Sequence, residues 1–439
     1  MRVRVITVGS QGDVRPYVAF GAGLRTAGHD VRIVAHPGFE DLVRGNGLDF
    51  APIAGDPREL EENRQVRALH DDSRKILLWW RTFNDVTAPL MWQQLRDCWE
   101  ACRDADAIIV SILTYLLGYA IAGKLGVPLV RAFYFPVSPT RAYPADFVPA
   151  WLRLGGRFNL ATYSAQRQLL WQIVRPKLAG ACRDVLGHEG LPIFEPFGEL
   201  DRQRQLLLYC YSAAVAPRPP DWGDWMDVTG YWFLDRSTDW QPPPALAAFL
   251  DSGPPPVYIG GFGRMTNLDT AELARTVARA LAMTGHRAVV LSGWGGLPPT
   301  ELPRDIFAVD WVPFDWLFPR MAAVVHHAGV GTTAIGLRAG VPTITIPFFL
   351  DNFVWSKRVF ELGVGPRPIP RKRLEANALA AALRVATSDP DMQRRAAELA
   401  ARIRAEDGVT RAVTSFERHF SRPSQSGQSG AAAAAAIRI

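Results

Sequence analysis

The chain has 439 residues, of which 48% are hydrophobic and 21% charged, a globular composition that excludes a disordered chain, collagen-like repeats and a disulfide scaffold. Lys and Arg outnumber Asp and Glu by 49 to 43, a net charge of +6; the excess favours phosphates or an anionic membrane surface and is too evenly spread to argue for nucleic acid. At roughly 150 residues per domain the length predicts two or three domains, two being the starting expectation, and four cysteines without metal-ligand partners at useful spacing predict free thiols in a reducing cytoplasm.

The chain opens directly into an alternating strand pattern with no apolar signal-peptide core, which also points to a cytoplasmic protein. Residues 3–8 read as a buried strand, Gly9-Ser10-Gln11-Gly12-Asp13 as a tight loop, 16–27 as a helix with Gly28 as its C-cap, and 31–35 as a second strand. This βαβ unit recurs as a strand at 107–111, a helix ending near Gly126 and a strand at 127–134, so a parallel sheet is expected. The uncharged stretch 107–123 is shorter than the ~20 residues of a spanning helix. Between these units, Trp79, Trp80, Phe83, Trp92, Trp151 and Trp171 either pack the core or line an apolar cleft.

Proline-rich stretches at 216–220 and 241–244 have the composition of an interdomain connection. The expected division is a first domain at 1–215, a linker at 216–245, a second domain at 246–420 and a low-complexity tail at 421–439. The second domain starts a fresh series: a strand at 257–259, a glycine loop at 260–263, a helix at 270–283 and strands at 288–292 and 323–326. Loop 328–331, a helix at 332–339 and a strand at 343–346 follow. The fold class is therefore α/β, two doubly wound, Rossmann-like domains facing a cleft, with ligands at the carboxyl ends of the strands.

His326-His327-Ala328-Gly329-Val330-Gly331-Thr332-Thr333 lies between a strand and a helix, where backbone N–H groups and the positive helix end make an anion site. Trp311-Val312-Pro313-Phe314 precedes it and Pro347-Phe348-Phe349-Leu350-Asp351-Asn352 follows, an order of aromatic plate, phosphate cradle and polar pair that suits a nucleotide sugar. The segment from Trp311 to Pro366 resembles the donor-binding box of the family-one, GT-B-fold glycosyltransferases. Gly9-Ser10-Gln11-Gly12-Asp13-Val14-Arg15-Pro16, Thr229-Gly230-Tyr231-Trp232-Phe233-Leu234-Asp235 and Ser292-Gly293-Trp294-Gly295-Gly296-Leu297 are similar to signatures of its sterol glucosyltransferase branch and bacterial relatives.

The resemblance implies an inverting transfer of a hexose from a UDP-sugar, glucose first among candidates, to a hydroxyl of a sterol, triterpenoid or polyketide. It implies no cofactor and no metal. Trp311 would stack on the base and the Val312 backbone pair with its edge; His327, Gly329, Val330, Gly331, Thr332 and Thr333 would hold the diphosphate; Asp351 and Asn352 would bond the sugar. Ser10, Gly12, Gly263 and Arg264 join the donor set, Trp79, Phe83 and Phe135 the acceptor pocket, and Asp13 is the general base. The alternative for Asp13 is a cap or turn residue. Departures from the family pattern are Ala328 in place of glycine, Leu350, Asn352 in place of glutamine, Phe314, and Arg264 in place of serine. Asp389-Pro390-Asp391 matches a metal motif but lies beyond the donor box, and His29, His36 and His286 read as structural. The Ala/Arg/Gly/Pro-rich composition suggests a GC-rich bacterium and secondary metabolism, and the charge permits peripheral membrane contact. A nucleotide-sugar 2-epimerase and a non-catalytic nucleotide-binding homologue are the competing readings. Oligomeric state is not legible.

Overall fold

A computed structural model describes residues 1–421 apart from 57–58, 60–62, 64, 66–79, 146–147, 149–151, 153, 189, 236–239, 261–269, 293–302 and 349–350. The chain divides into two compact units. The first comprises Met1–Ala213, Pro217–Leu234 and the chain from Asp407 onward, and the second Ala214–Ala216 and Asp235–Glu406.

Among the described residues, the first unit carries a seven-stranded parallel sheet: β1 (Arg2–Ile6), β2 (Asp30–Ala35), β3 (Asp49–Pro52), β4 (Ala107–Val110), β5 (Leu129–Phe133), β6 (Leu207–Tyr209) and β7 (Met226–Val228), in the order β3-β2-β1-β4-β5-β6-β7. Helices cover both faces of such a sheet, so its central strands carry apolar side chains at nearly every position. All four residues of β4 are buried, as are Val3, Val5 and Ile6 of β1. Val3 pairs with Val31 on one side and Ala107 on the other. Arg4 is the buried exception on β1, whose other arginine, Arg2, is exposed. Arg4 is 1% exposed, and ion pairs to Asp104 (2.7 Å) and Asp30 (3.2 Å) hold its guanidinium firmly protonated.

The second unit carries a five-stranded parallel sheet among its described residues: β8 (Val257–Ile259), β9 (Ala288–Leu291), β10 (Ile306–Val309), β11 (Ala323–His326) and β12 (Thr343–Thr345), in the order β10-β9-β8-β11-β12. In each sheet the strand order reverses beside the first strand, between β1 and β4 and between β8 and β11. A crevice opens at the carboxyl ends of the strands at such a switch point. The loops after β1 and β11 are therefore placed for ligands, each within its own unit.

Three boundaries that bear on the site differ from those read in the sequence. The expected linker at 216–245 is divided, Pro217–Leu234 with β7 belonging to the first unit and the chain from Asp235 to the second. The first helix spans Gln11–Thr26, five residues longer at its start than Pro16 implied, because Ser10 caps it and Asp13 stands at its third position. The expected tight loop is thus largely the first helical turn. The helix Gly408–Ser421, expected within the second domain, packs instead on the helix Gln11–Thr26 of the first unit. The Val409 side chain seats against Gly23, where a Cβ would stand 2.6 Å from Val409 Cγ1, and Ser415 Oγ donates to Asp227.

Candidate active site

The loop after β1 is built around one carboxylate. Asp13 Oδ2 accepts hydrogen bonds from the Ser10 amide (2.7 Å) and the Ser10 hydroxyl (2.9 Å), while Thr7 Oγ1 donates to the Asp13 carbonyl (2.8 Å). A carboxylate at the third helical position satisfies a donor that the helix itself cannot pair. Gly9 makes this geometry feasible: its φ is +119°, and a Cβ there would lie 2.5 Å from Asp13 Oδ2. Arg15 Nη2 donates to the Leu234 carbonyl (2.9 Å), and Trp232 packs its ring 4.4 Å from that of Phe20. The Thr229–Asp235 motif thus braces the same helix that presents Asp13. Ser10 and Gly12 lie in the turn with Asp13, within the first unit.

In the second unit, β11 leads through His327-Ala328-Gly329 into the helix Val330–Ala339. Ala328 has φ +66°, the left-handed conformation that glycine adopts without cost, which explains physically why alanine is the unusual residue here. Its N–H donates to His326 Nδ1 (3.0 Å), so the proton of His326 sits on Nε2. Complete burial, with His327 as a further cationic neighbour, pushes the His326 pKa down to about 3 and keeps the ring neutral. His327 is half-buried, with its ring over Gly329, where a Cβ would stand 2.4 Å from Nε2. The first helical turn offers backbone N–H groups at Val330, Gly331 and Thr332 without intrahelical partners.

The Trp311 ring is 58% exposed, next to the buried Val312. Arg320 lies over Trp316 (4.3 Å), Trp316 meets Trp240 (5.2 Å), and Trp240 meets Trp311 edge-to-face at 6.4 Å. An aromatic plate and a glycine-rich helix start therefore belong to one unit, at the ends of β10 and β11.

Two family models match the chain: the Glycosyltransferase family 28 N-terminal domain at residues 3–144, and the Erythromycin biosynthesis protein CIII-like C-terminal domain at residues 296–417. A sterol 3-beta-glucosyltransferase of Aspergillus fumigatus is 37% identical over 95% of this chain and 30% of its own length; the chain spans less than a third of that relative. Among solved structures, the spinosyn rhamnosyltransferase SpnG complexed with spinosyn aglycone is 21% identical, with a TM-score of 0.65 over 95% of this chain and all of that one. The Streptomyces sp. SF2575 glycosyltransferase SsfS6, complexed with thymidine diphosphate, is 20% identical, with a TM-score of 0.59 over 95% of this chain and 99% of that one. The chain has the fold of these GT-B glycosyltransferases.

Within this GT-B chain two expected donor residues turn inward. Thr333 is 1% exposed, its hydroxyl is enclosed, and its N–H already donates to the Gly329 carbonyl (2.9 Å). It lies on the face of its helix that also buries Gly336 and Leu337, which leaves Thr332 as the half-exposed hydroxyl of the pair. Asn352 is 6% exposed and continues the buried stripe of Trp355, Ser356 and Val359, whereas Asp351, one position earlier, is half-buried. The shortened amide at 352 thus sits inside the domain, not at its surface. Gly263, Arg264, Leu350, Trp79 and Trp151 lie outside the described residues.

Phe83 and Phe135 are half-buried, Trp171 is core, and Trp80 is 49% exposed. Asp389 accepts from the Met392 amide (3.0 Å) as a helix cap, and Asp391 pairs with Arg394 (3.0 Å), so that motif is occupied in starting a helix. His286 bonds to Thr387 and His29 packs on Phe416, as structural histidines do. All four cysteines are buried free thiols, and burial raises their pKa values. No helix among the described residues is long and apolar enough to cross a membrane. Trp240 was missed in the sequence; its signal was a tryptophan two residues before the prolines at 242–244.

Proposed function

We propose that the chain moves a hexose from a nucleoside-diphosphate sugar, UDP-glucose first among candidates, to a hydroxyl of a lipophilic acceptor such as a sterol, triterpenoid or polyketide, inverting the anomeric carbon. The observation that carries the reading is the exposed Trp311 plate in the same unit as a glycine-rich loop and helix start. A base stacks on the plate, and a diphosphate meets N–H groups at the positive helix end. The similarity to a sterol 3-beta-glucosyltransferase and to a glycosyltransferase holding an aglycone supports the acceptor class.

In this reading the acceptor oxygen forms a bond to the anomeric carbon as the bond to the diphosphate oxygen breaks. The diphosphate leaves with the electron pair, and Asp13 takes the hydroxyl proton. Ser10 orients that carboxylate through two hydrogen bonds. The proton becomes acidic only as the oxygen attacks, so a carboxylate in reach acts at the transition state. The leaving diphosphate gains charge, which the first-turn N–H groups, His327 and the Thr332 hydroxyl stabilise. Asp351 would bond the sugar. These donors come from the protein itself, so the proposed step uses no metal.

Mass spectrometry of products tests this, using purified protein with UDP-glucose or TDP-glucose, with and without a chelator, and a panel of sterol, triterpenoid, flavonoid and macrolide alcohols. A hexose mass gain with nucleotide release that survives chelation is expected. Conversion of the donor to its 2-epimer would replace the transfer reading. Failure of both nucleotides to bind in calorimetry would overturn the donor site.

A further inference from the structure

We propose that Trp240 is a positioning residue for the donor base: it sets the plane of Trp311, through an edge-to-face contact mounted on the stiff proline segment that follows it. The inference rests on the proposed role of Trp311 as the base platform. Trp311 has more than half of its surface in water, and an exposed indole with two free torsions must be immobilised when a base stacks on it. Trp240 meets it at 6.4 Å between centroids and 76° between planes. In an edge-to-face pair of either sense, at least one face of Trp311 is left uncovered by Trp240. The contact therefore restrains the platform without occupying it.

Trp240 is itself well held. Its ring lies 5.2 Å from Trp316 at 61°, and Arg320 stands over Trp316. It packs on the core formed by Leu246, Tyr258, Val312, Leu317 and Phe318. Gln241, Pro242 and Pro243 then lead into the helix Pro244–Asp251, and the fixed φ of each proline stiffens the segment that follows Trp240. The series Arg320, Trp316, Trp240 and Trp311 ends at the one of its three tryptophans that stands in solvent.

The test is UDP binding by calorimetry and donor kinetics for W240L, W240F, W311A and W240L/W311A in the full chain. Immobilising one further side chain on binding costs about 0.5–1.5 kcal/mol, so W240L should weaken UDP and raise donor KM roughly two- to tenfold, with kcat at saturating donor near native. W240F, which keeps an aromatic edge, should bind nearly as the native protein does. Because Trp240 acts through Trp311, the double variant should bind no worse than W311A alone. Native UDP affinity in W240L beside a weakened W311A overturns the Trp240 proposal alone, as do additive losses in the double variant. Native affinity in W311A removes the base platform and takes the Trp240 proposal with it.

Discussion

Asp13 performs one task visibly, closing the first turn of its helix, and is proposed to perform another in proton transfer; substitution separates the two. In D13N the amide oxygen can still accept from the Ser10 amide and hydroxyl, now at 2.7 and 2.9 Å from Oδ2. What is lost is the negative charge at a helix N-terminus, worth about 0.3–1 kcal/mol. D13A removes the acceptor as well and leaves the Ser10 N–H without this partner, at about 0.5–2 kcal/mol for a cap residue. At roughly 2–4 °C per kcal/mol for a unit of this size, D13N should melt about 1–4 °C low and D13A about 1–8 °C low. Neither should lose UDP affinity, since the plate and the phosphate loop belong to the other unit. Transfer should nonetheless fall on the order of 10²–10⁴-fold in both. The assay is kcat at saturating donor and acceptor beside thermal melts and UDP calorimetry. Native turnover in D13N would remove Asp13 from the chemistry and leave it as a cap.

The two threonines of the phosphate loop should separate cleanly in donor KM: T332A raises it, whereas T333V leaves it unchanged and is neutral or stabilising, because the Thr333 hydroxyl is enclosed and unpartnered. A raised donor KM in T333V would show that the helix start rearranges on binding. G329A keeps an allowed backbone at φ −61° but drives a Cβ to within 2.4 Å of His327 Nε2. It should weaken UDP roughly tenfold, the scale of one charge-assisted hydrogen bond, with a near-native melt; unchanged affinity would put His327 outside the diphosphate site. Below pH ~6.5 the unfolded chain binds a proton at His326 that the folded chain refuses until about pH 3. Stability should therefore fall as pH drops through that window, by about 1.4 kcal/mol per unit from this site. His29, His36 and His286, all lowered by burial, add slope of the same sign. H326N retains an acceptor for the Ala328 N–H and should flatten the profile measured by denaturant titration; an unaltered slope would show that His326 is not its source.

The parallel sheets were legible because both faces of each are covered: strands such as Ala107–Val110 and Ala323–His326 are apolar runs that end at a glycine, a hydroxyl or a histidine, where the site begins. The helix Gly408–Ser421 was legible as a helix but not as part of the first unit. Its buried stripe of Ala412, Val413 and Phe416 announces that a face must be covered, and says nothing of what covers it. The covering helix left a trace in Gly23, a glycine in mid-helix where the Val409 and Val413 side chains pack. Pro16 misplaced the start of that same helix because proline is favoured in a first turn, while the signal that prevailed, Ser10 with Asp13 three residues on, lay upstream.

The donor residues show the same division between type and direction. Glycines, threonines and an Asp-Asn pair between strand and helix mark an anion and sugar site by residue type, but one position along a helix turns a side chain by about 100°. That rotation takes Thr333 and Asn352 into the core and leaves Thr332 and Asp351 half-exposed. An alignment of motif letters treats both members of each pair alike, because it holds no information about which stripe the neighbouring Leu337 or Trp355 will bury. The departure at Asn352 therefore bears first on packing against Trp355 and Ser356, and the identity of the sugar falls more heavily on Asp351. D351N should then change donor-sugar preference, read as the ratio of kcat/KM for UDP-glucose and UDP-galactose, and N352Q should chiefly lower the melting temperature. The reverse pattern would mean that Asn352 leaves the buried stripe when a sugar binds.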